Sequence, residues 1–177
     1  MEIHLIRHTT PDIEKGVCYG QTDVPLKNTF TEEAEIVLGR LSKSVEIIYT
    51  SPLSRCLQLA NYLSSKLSIP VKVDMQLMEL NFGEWEMLKW NDIDPLKLKD
   101  WMNDYVNVPC PKGESYADLA KRTNSFLNTI RLTHHKSAAA VTHHGVMKAA
   151  YALHYGTDLK TGMEKKWTYG DINTLNL

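Results

Sequence analysis

Cysteine, net charge and long apolar runs are all scarce in this chain, and each scarcity excludes something. The three cysteines among 177 residues, Cys18, Cys56 and Cys110, are odd in number and widely spaced, so no disulfide framework is expected. They read as small apolar fillers. Charge is almost balanced, with 20 Lys and Arg against 21 Asp and Glu and a formal net charge of -1. No broad electrostatic field exists for nucleic acid or an anionic membrane, so neither partner is expected and any affinity for phosphate must be local. No apolar stretch approaches the roughly 20 residues needed to cross a bilayer. Met1-Glu2-Ile3-His4 carries no secretory pattern, and the expectation is a protein of the reducing cytoplasm.

Several phosphate chemistries are missing as well. A cysteine phosphatase needs an arginine six residues after its nucleophile, but Val24, Tyr62 and Tyr116 stand six residues after the three cysteines. An aspartyl phosphatase wants its aspartates after an apolar strand, whereas Asp92-Ile93-Asp94 follows Lys89-Trp90-Asn91 and runs into Pro95 as a helix start would. No glycine-rich loop ends in Gly-Lys-Ser or Gly-Lys-Thr. No CxxC pair or HExxH helix suggests zinc, so neither metal nor cofactor is expected.

What is present is a regular alternation of elements. Glu2 to Ile6 reads as a short buried strand ending at Arg7-His8, and Thr9 to Phe30, broken by Pro11, Gly16, Gly20 and Pro25, as a long loop over that strand end. Ala34, Val37, Leu38 and Leu41 are spaced for a helix, with Thr29 and Glu32 as a capping box. Glu46 to Thr50 is a second strand, and Ser51-Pro52 supplies the N-cap and first turn of a helix with Leu53, Cys56, Leu57, Ala60, Leu63 and Leu67 on its apolar stripe. Arg55 falls off that stripe, near the strand end. Val71 to Val73 is a third strand, and Met75 to Trp90 is irregular. Asp94-Pro95 opens a helix to about Tyr105, and a capping box at Ser115 and Asp118 opens another with Tyr116, Leu119, Ala120, Thr123, Phe126, Leu127 and Ile130 on one face. Ala138 to Thr142 is a strand, His143-His144-Gly145 a turn, Val146 to Tyr155 a helix, and Asp171 to Leu175 a last strand. This order predicts one domain over 1–177, with a mostly parallel sheet covered by helices on both faces and residues 80–113 inserted as a cap over its ligand edge.

Polar residues at the strand ends carry the chemistry. Arg7 and His8 follow the first strand, Arg55 opens the helix after the second, and His143 follows the strand 138–142. Parallel strands bring all four to one sheet edge, where open α/β folds bind ligands. A neutral imidazole can attack phosphorus, and guanidinium groups bind phosphoryl oxygens in pairs. The set permits phosphoryl transfer without a metal.

Four segments, in order, resemble the motifs of the histidine phosphatase superfamily, which includes the cofactor-dependent phosphoglycerate mutases. Leu5-Ile6-Arg7-His8-Thr9-Thr10-Pro11 is similar to its arginine-histidine signature and Ser51-Pro52-Leu53-Ser54-Arg55-Cys56 to its second-arginine motif. Glu79-Leu80-Asn81-Phe82-Gly83-Glu84-Trp85-Glu86 is similar to its acid segment and Val141-Thr142-His143-His144-Gly145-Val146 to its second-histidine motif. The resemblance implies a phosphoglycerate mutase-like three-layer α/β/α sandwich with a small helical cap. It implies His8 as the residue that becomes phosphohistidine, Arg7, Arg55 and His143 as holders of the phosphoryl oxygens, and Glu79 as proton donor, with Glu84 and Glu86 as nearby competitors for that role. The family's asparagine six positions after the nucleophile is replaced by Glu14, so Gln21 and Thr22 are taken as substitutes for its phosphate contact.

Within the superfamily, Val17 to Leu26, Phe82 to Glu86, Trp101 with Asp104, and Pro111-Lys112-Gly113-Glu114-Ser115 resemble the α-ribazole phosphatases, which act late in cobalamin biosynthesis. That likeness implies a small-molecule phosphate ester as partner and α-ribazole 5′-phosphate as substrate. A broader sugar-phosphate or nucleotide phosphatase, a mutase and an inactive phosphate-binding module stand as alternatives. Oligomeric state is left open. His144 and Lys148 stand where the family carries small and arginine residues, and no role follows for either.

Overall fold

The computed structural model describes all 177 residues. β1 (Glu2–Arg7), β2 (Ile47–Thr50), β3 (Val71–Val73), β4 (Ser137–Thr142) and β5 (Ile172–Asn176) form one sheet in the order β3-β2-β4-β1-β5. Only the pairing of β5 with β1 is antiparallel. The helices are α1 (Phe30–Arg40), α2 (Ser54–Leu67), α3 (Pro95–Asn103), α4 (Tyr116–Arg131), α5 (His144–Tyr155) and α6 (Leu159–Met163). No helix is long and apolar enough to cross a membrane.

Alternation along the strands divides the core into two layers. Ile3, Leu5, Ile47, Tyr49, Ala138 and Ala140 pack against α4 and α5, while Ile6, Ile48, Ala139 and Val141 pack against α1 and α2. The alanines of β4 suit a central strand crowded on both faces. All seven apolar-face positions expected of α4 are its buried residues, and the Ser115–Asp118 capping box is formed.

Three local expectations are corrected. Thr29 makes no side-chain cap to α1; its hydroxyl donates instead to Glu33 Oε1 at 2.6 Å. Glu33 also accepts from the Thr10 amide, at 2.8 Å, and so ties the helix to the loop after β1. Ser51 does not cap α2, because its hydroxyl lies 2.9 Å from His143 Nε2. The chain stays extended through Leu53, and the helix starts at Ser54, whose amide and hydroxyl both donate to Asp23 Oδ1 at 2.9 and 2.8 Å. The turn expected at 143–145 is absent, since α5 begins at His144 directly after β4. The short α6 carries too little periodicity to be seen in the sequence.

Residues 80–113 hold two short 3₁₀ turns and α3, and they carry a small cluster of their own. Trp85, Ile93 and Cys110 pack there with Cys18 from the loop after β1. Backbone bonds from Cys18 N to Leu88 O and from Met87 N to Cys18 O, 2.8 and 2.7 Å long, join the two segments over the sheet edge.

Candidate functional site

Strand register assembles the site. Arg7 pairs with Thr142 and Thr50 with Val141, so His8, His143 and Ser51 emerge side by side from three parallel strands. The His8 and His143 rings stand 5.2 Å apart between centroids, inclined at 63°. Both are buried, as is Arg55, which is 0% exposed although it lies off the apolar stripe of its helix. A guanidinium reaches that depth only with partners. Arg55 donates from Nη2 to Gly20 O at 2.5 Å and from Nη1 to Thr22 O at 3.0 Å. Its Nε, like that of Arg7, is buried without a partner. Arg7 donates to Trp167 O at 2.7 Å and stacks 3.9 Å above the Tyr169 ring.

His8 Nδ1 lies 2.7 Å from the carbonyl of Thr9. A carbonyl can only accept, so the ring proton sits on Nδ1 and Nε2 carries the free lone pair. Burial, reinforced by the Arg55 and Arg7 charges and opposed by the Thr9 hydrogen bond, pushes the imidazole down to about 3. His8 is therefore neutral at physiological pH. His143 is also held well below the ordinary range, by burial first and then by His8 and Arg55. Cys56, whose Sγ lies 3.4 Å from His143 Nε2, is a buried thiol pushed upward by desolvation and is no nucleophile.

Arg7, His8, Arg55 and His143 line a cavity of about 340 Å³ whose wall also includes Glu79 and the rings of Tyr19 and Tyr169. Glu79 Oε1 accepts from the Leu80 amide at 2.9 Å and Oε2 from the Gly145 amide, at the start of α5, at 3.1 Å. Each oxygen retains a further lone-pair site for a ligand. Gly145 makes this approach possible, because a Cβ there would lie 2.3 Å from Glu79 Oε1. The competing carboxylates are engaged elsewhere. Glu84 is an exposed partner of Lys112 at 2.7 Å. Glu86 accepts from the amides of Gly20, Gln21, Thr22 and Phe82, and is held low by those bonds against its burial.

Gln21 and Thr22 do not line the cavity. The Gln21 amide side chain donates to Glu79 O at 3.0 Å, and the Thr22 carbonyl accepts from Arg55. Both place other residues. A second cavity, of about 180 Å³, shares Glu79, Phe82 and His144 with the first and is otherwise lined by residues that include Trp101, Tyr105, Tyr116 and Lys148. No group of three or more His, Cys, Asp or Glu residues is placed to hold a metal ion.

The model of the histidine phosphatase superfamily (branch 1) matches residues 3–177. The chain belongs to that superfamily. It is a phosphoric monoester hydrolase with a phosphoglycerate mutase-like fold. Among its relatives is a Hydrogenobacter thermophilus protein provisionally named phosphoserine phosphatase 2, 31% identical over 93% of this chain and 82% of the relative. The adenosylcobalamin/alpha-ribazole phosphatase of Escherichia coli is 28% identical over 86% of this chain and 78% of its own length. Among solved structures, the alpha-ribazole phosphatase of Shigella flexneri superposes with a TM-score of 0.91 at 24% identity, covering all of this chain and 91% of the other. That likeness speaks for the fold.

Beyond the superfamily motifs, the fold adds residues that sequence reading missed. Tyr169 packs 5.5 Å from His8, and its hydroxyl bonds that of Tyr19 at 3.0 Å. Its place follows from the antiparallel return of the chain into β5 beside β1; the strand itself was expected, but its neighbour and direction were not. Arg122, on α4, donates to the carbonyls of Gln76, Met78 and Glu79 and pairs with Glu114 at 2.9 Å, so it holds the backbone that presents Glu79. His144 is pushed down to about 3 by burial, Arg7 and Lys148.

Proposed function

We propose that the protein hydrolyses a small phosphate monoester through a phosphohistidine on His8, and that α-ribazole 5′-phosphate is its substrate. His8 Nε2 attacks phosphorus while Arg7, Arg55 and His143 hold the phosphoryl oxygens. The bond from phosphorus to the ester oxygen breaks, and that oxygen takes a proton from Glu79. Water then attacks the phosphohistidine, gives its proton back to Glu79, and the N–P bond breaks to release phosphate and neutral His8. Gln21 and Thr22 act by fixing Glu79 and Arg55.

One observation carries this reading: Glu79 lines both a cavity rich in arginine and histidine and a cavity walled by aromatic rings. A phosphoryl group in the first and a flat heterocycle in the second put the ester oxygen beside the acid. A hydroxy-amino-acid phosphate such as phosphoserine is the second reading, supported by the Hydrogenobacter relative and by the ammonium of Lys148 in the second cavity. The test is kcat/KM for α-ribazole 5′-phosphate, O-phosphoserine, ribose 5-phosphate and a nucleotide, with phosphate release as readout. α-Ribazole 5′-phosphate is expected to lead by tenfold or more. Equal turnover of the simple sugar phosphate refutes the substrate, and full activity in His8→Ala refutes the mechanism.

A further inference from the structure

Residues that line the second cavity carry unspent hydrogen-bond donors. Tyr116 is 2% exposed, yet its hydroxyl is buried without a partner, and so is the indole Nε1 of Trp101, a second lining residue. Orphaned buried polar atoms are rare and call for an explanation. Lys148 adds an ammonium on the α5 side. It is half-buried, its charge disfavoured by desolvation, and it donates one bond, to Met163 O at 2.8 Å. Two protons of the ammonium are free for another acceptor. Trp101 and Lys148 can only donate. Phe82 and the rings of Trp101 and Tyr116 supply apolar walls, and Glu79 lines this cavity and the phosphoryl cavity alike.

We infer that this cavity is the leaving-group subsite and that Lys148, Tyr116 and Trp101 select alcohols that place a hydrogen-bond acceptor on a flat, apolar body. The inference rests on the hydrolytic reading above, since the alcohol portion must extend past Glu79 from a phosphoryl group held at His8. Its chemistry is that of an acceptor among donors. A neutral ring nitrogen and a carboxylate both provide it, whereas an unsubstituted hydrocarbon ring leaves the donors unpaired, as they already are, and gains none of those bonds.

Three esters of near-equal leaving-group basicity separate these cases: benzyl phosphate, pyridin-4-ylmethyl phosphate and 4-carboxybenzyl phosphate. kcat/KM for at least one acceptor-bearing ester is expected to exceed that of benzyl phosphate by tenfold or more, and whichever leads shows whether the subsite takes a neutral or an anionic acceptor. In Lys148→Met and in the milder Tyr116→Phe, that ratio is expected to fall at least fivefold, with Lys148→Arg restoring most of it. A ratio cancels any loss of folded enzyme, so a merely structural role leaves it unmoved. No preference in the native enzyme, or a preference that both variants keep, overturns the inference. If His8→Ala retains turnover, the hydrolytic reading fails first. If that variant is dead and the ratio is flat, the subsite alone fails.

Discussion

Replacing Gly145 by alanine tests the placement of Glu79 with almost no change in chemistry. A Cβ at Gly145 would stand 2.3 Å from Glu79 Oε1 and 3.3 Å from Leu119 Cδ1. The carboxylate must retreat by roughly 1 Å to reach ordinary contact, and the Gly145 amide, now 3.1 Å from Oε2, loses its aim. Stability should hardly suffer. Alanine gains up to about 1 kcal/mol over glycine inside a helix, which offsets the lost hydrogen bond of similar size. Catalysis should suffer selectively, because a displacement of about 1 Å in a reacting group costs on the order of 100-fold. The loss belongs to protonation of the leaving oxygen, so it should be near 100-fold for an alkyl phosphate and less than tenfold for p-nitrophenyl phosphate, whose leaving group needs little help. Steady-state rates on both esters and a thermal melt decide the matter. Equal losses on the two esters, or none, refute the assignment of Glu79 as the acid, and a large fall in Tm would show that the glycine serves packing instead.

Stability should depend on pH through the buried histidines. In the unfolded chain His8 and His143 titrate near 6.5, but in the fold His8 is lowered to about 3 and His143 well below its usual value. The unfolded state therefore binds protons that the fold refuses, and stability, complete above pH 6.5, should fall on acidification by on the order of 1.4 kcal/mol per histidine per pH unit. His144 acts in the same direction. Urea midpoints at pH 7.5, 6 and 5 measure this, and a flat series contradicts it. Arg122→Met should break the pair with Glu114 and strand three carbonyls, costing about 3 kcal/mol and lowering Tm by roughly 6–12 °C. A shift below 3 °C would show that this network is idle. With no metal-ligating cluster in the fold, activity should survive exhaustive chelation; loss restored by an added divalent ion counts against the mechanism.

Much of the architecture was legible because short-range rules governed it. α4 displays its period over 16 residues and carries its own capping box, so its buried face could be read position by position. The strands β1, β2 and β4 are short apolar runs ending in polar residues, and parallel connection alone places those ends together. Local reading failed where a side chain that could cap its own helix was claimed by a distant group. Ser51 went to His143, and Asp23, 31 residues from Ser54, took over the start of α2.

The same division runs through the site. Sequence alone brought Arg7, His8, Arg55 and His143 together, because each sits at the end of an element whose direction the strand order dictates, whereas Glu79, in an irregular segment, was legible only through its resemblance to the superfamily's acid motif. Tertiary structure decided what each can do. It fixed the His8 tautomer through one carbonyl and neutralised that ring by burial among arginines. It engaged Glu86 with four backbone amides and left Glu79 facing both cavities. It kept Gln21 and Thr22 out of the lining of the phosphoryl cavity and brought Tyr169 to the ligand edge from near the end of the chain. Residue type and element order act along the chain, whereas proton position, desolvation and cavity shape depend on neighbours that only packing supplies.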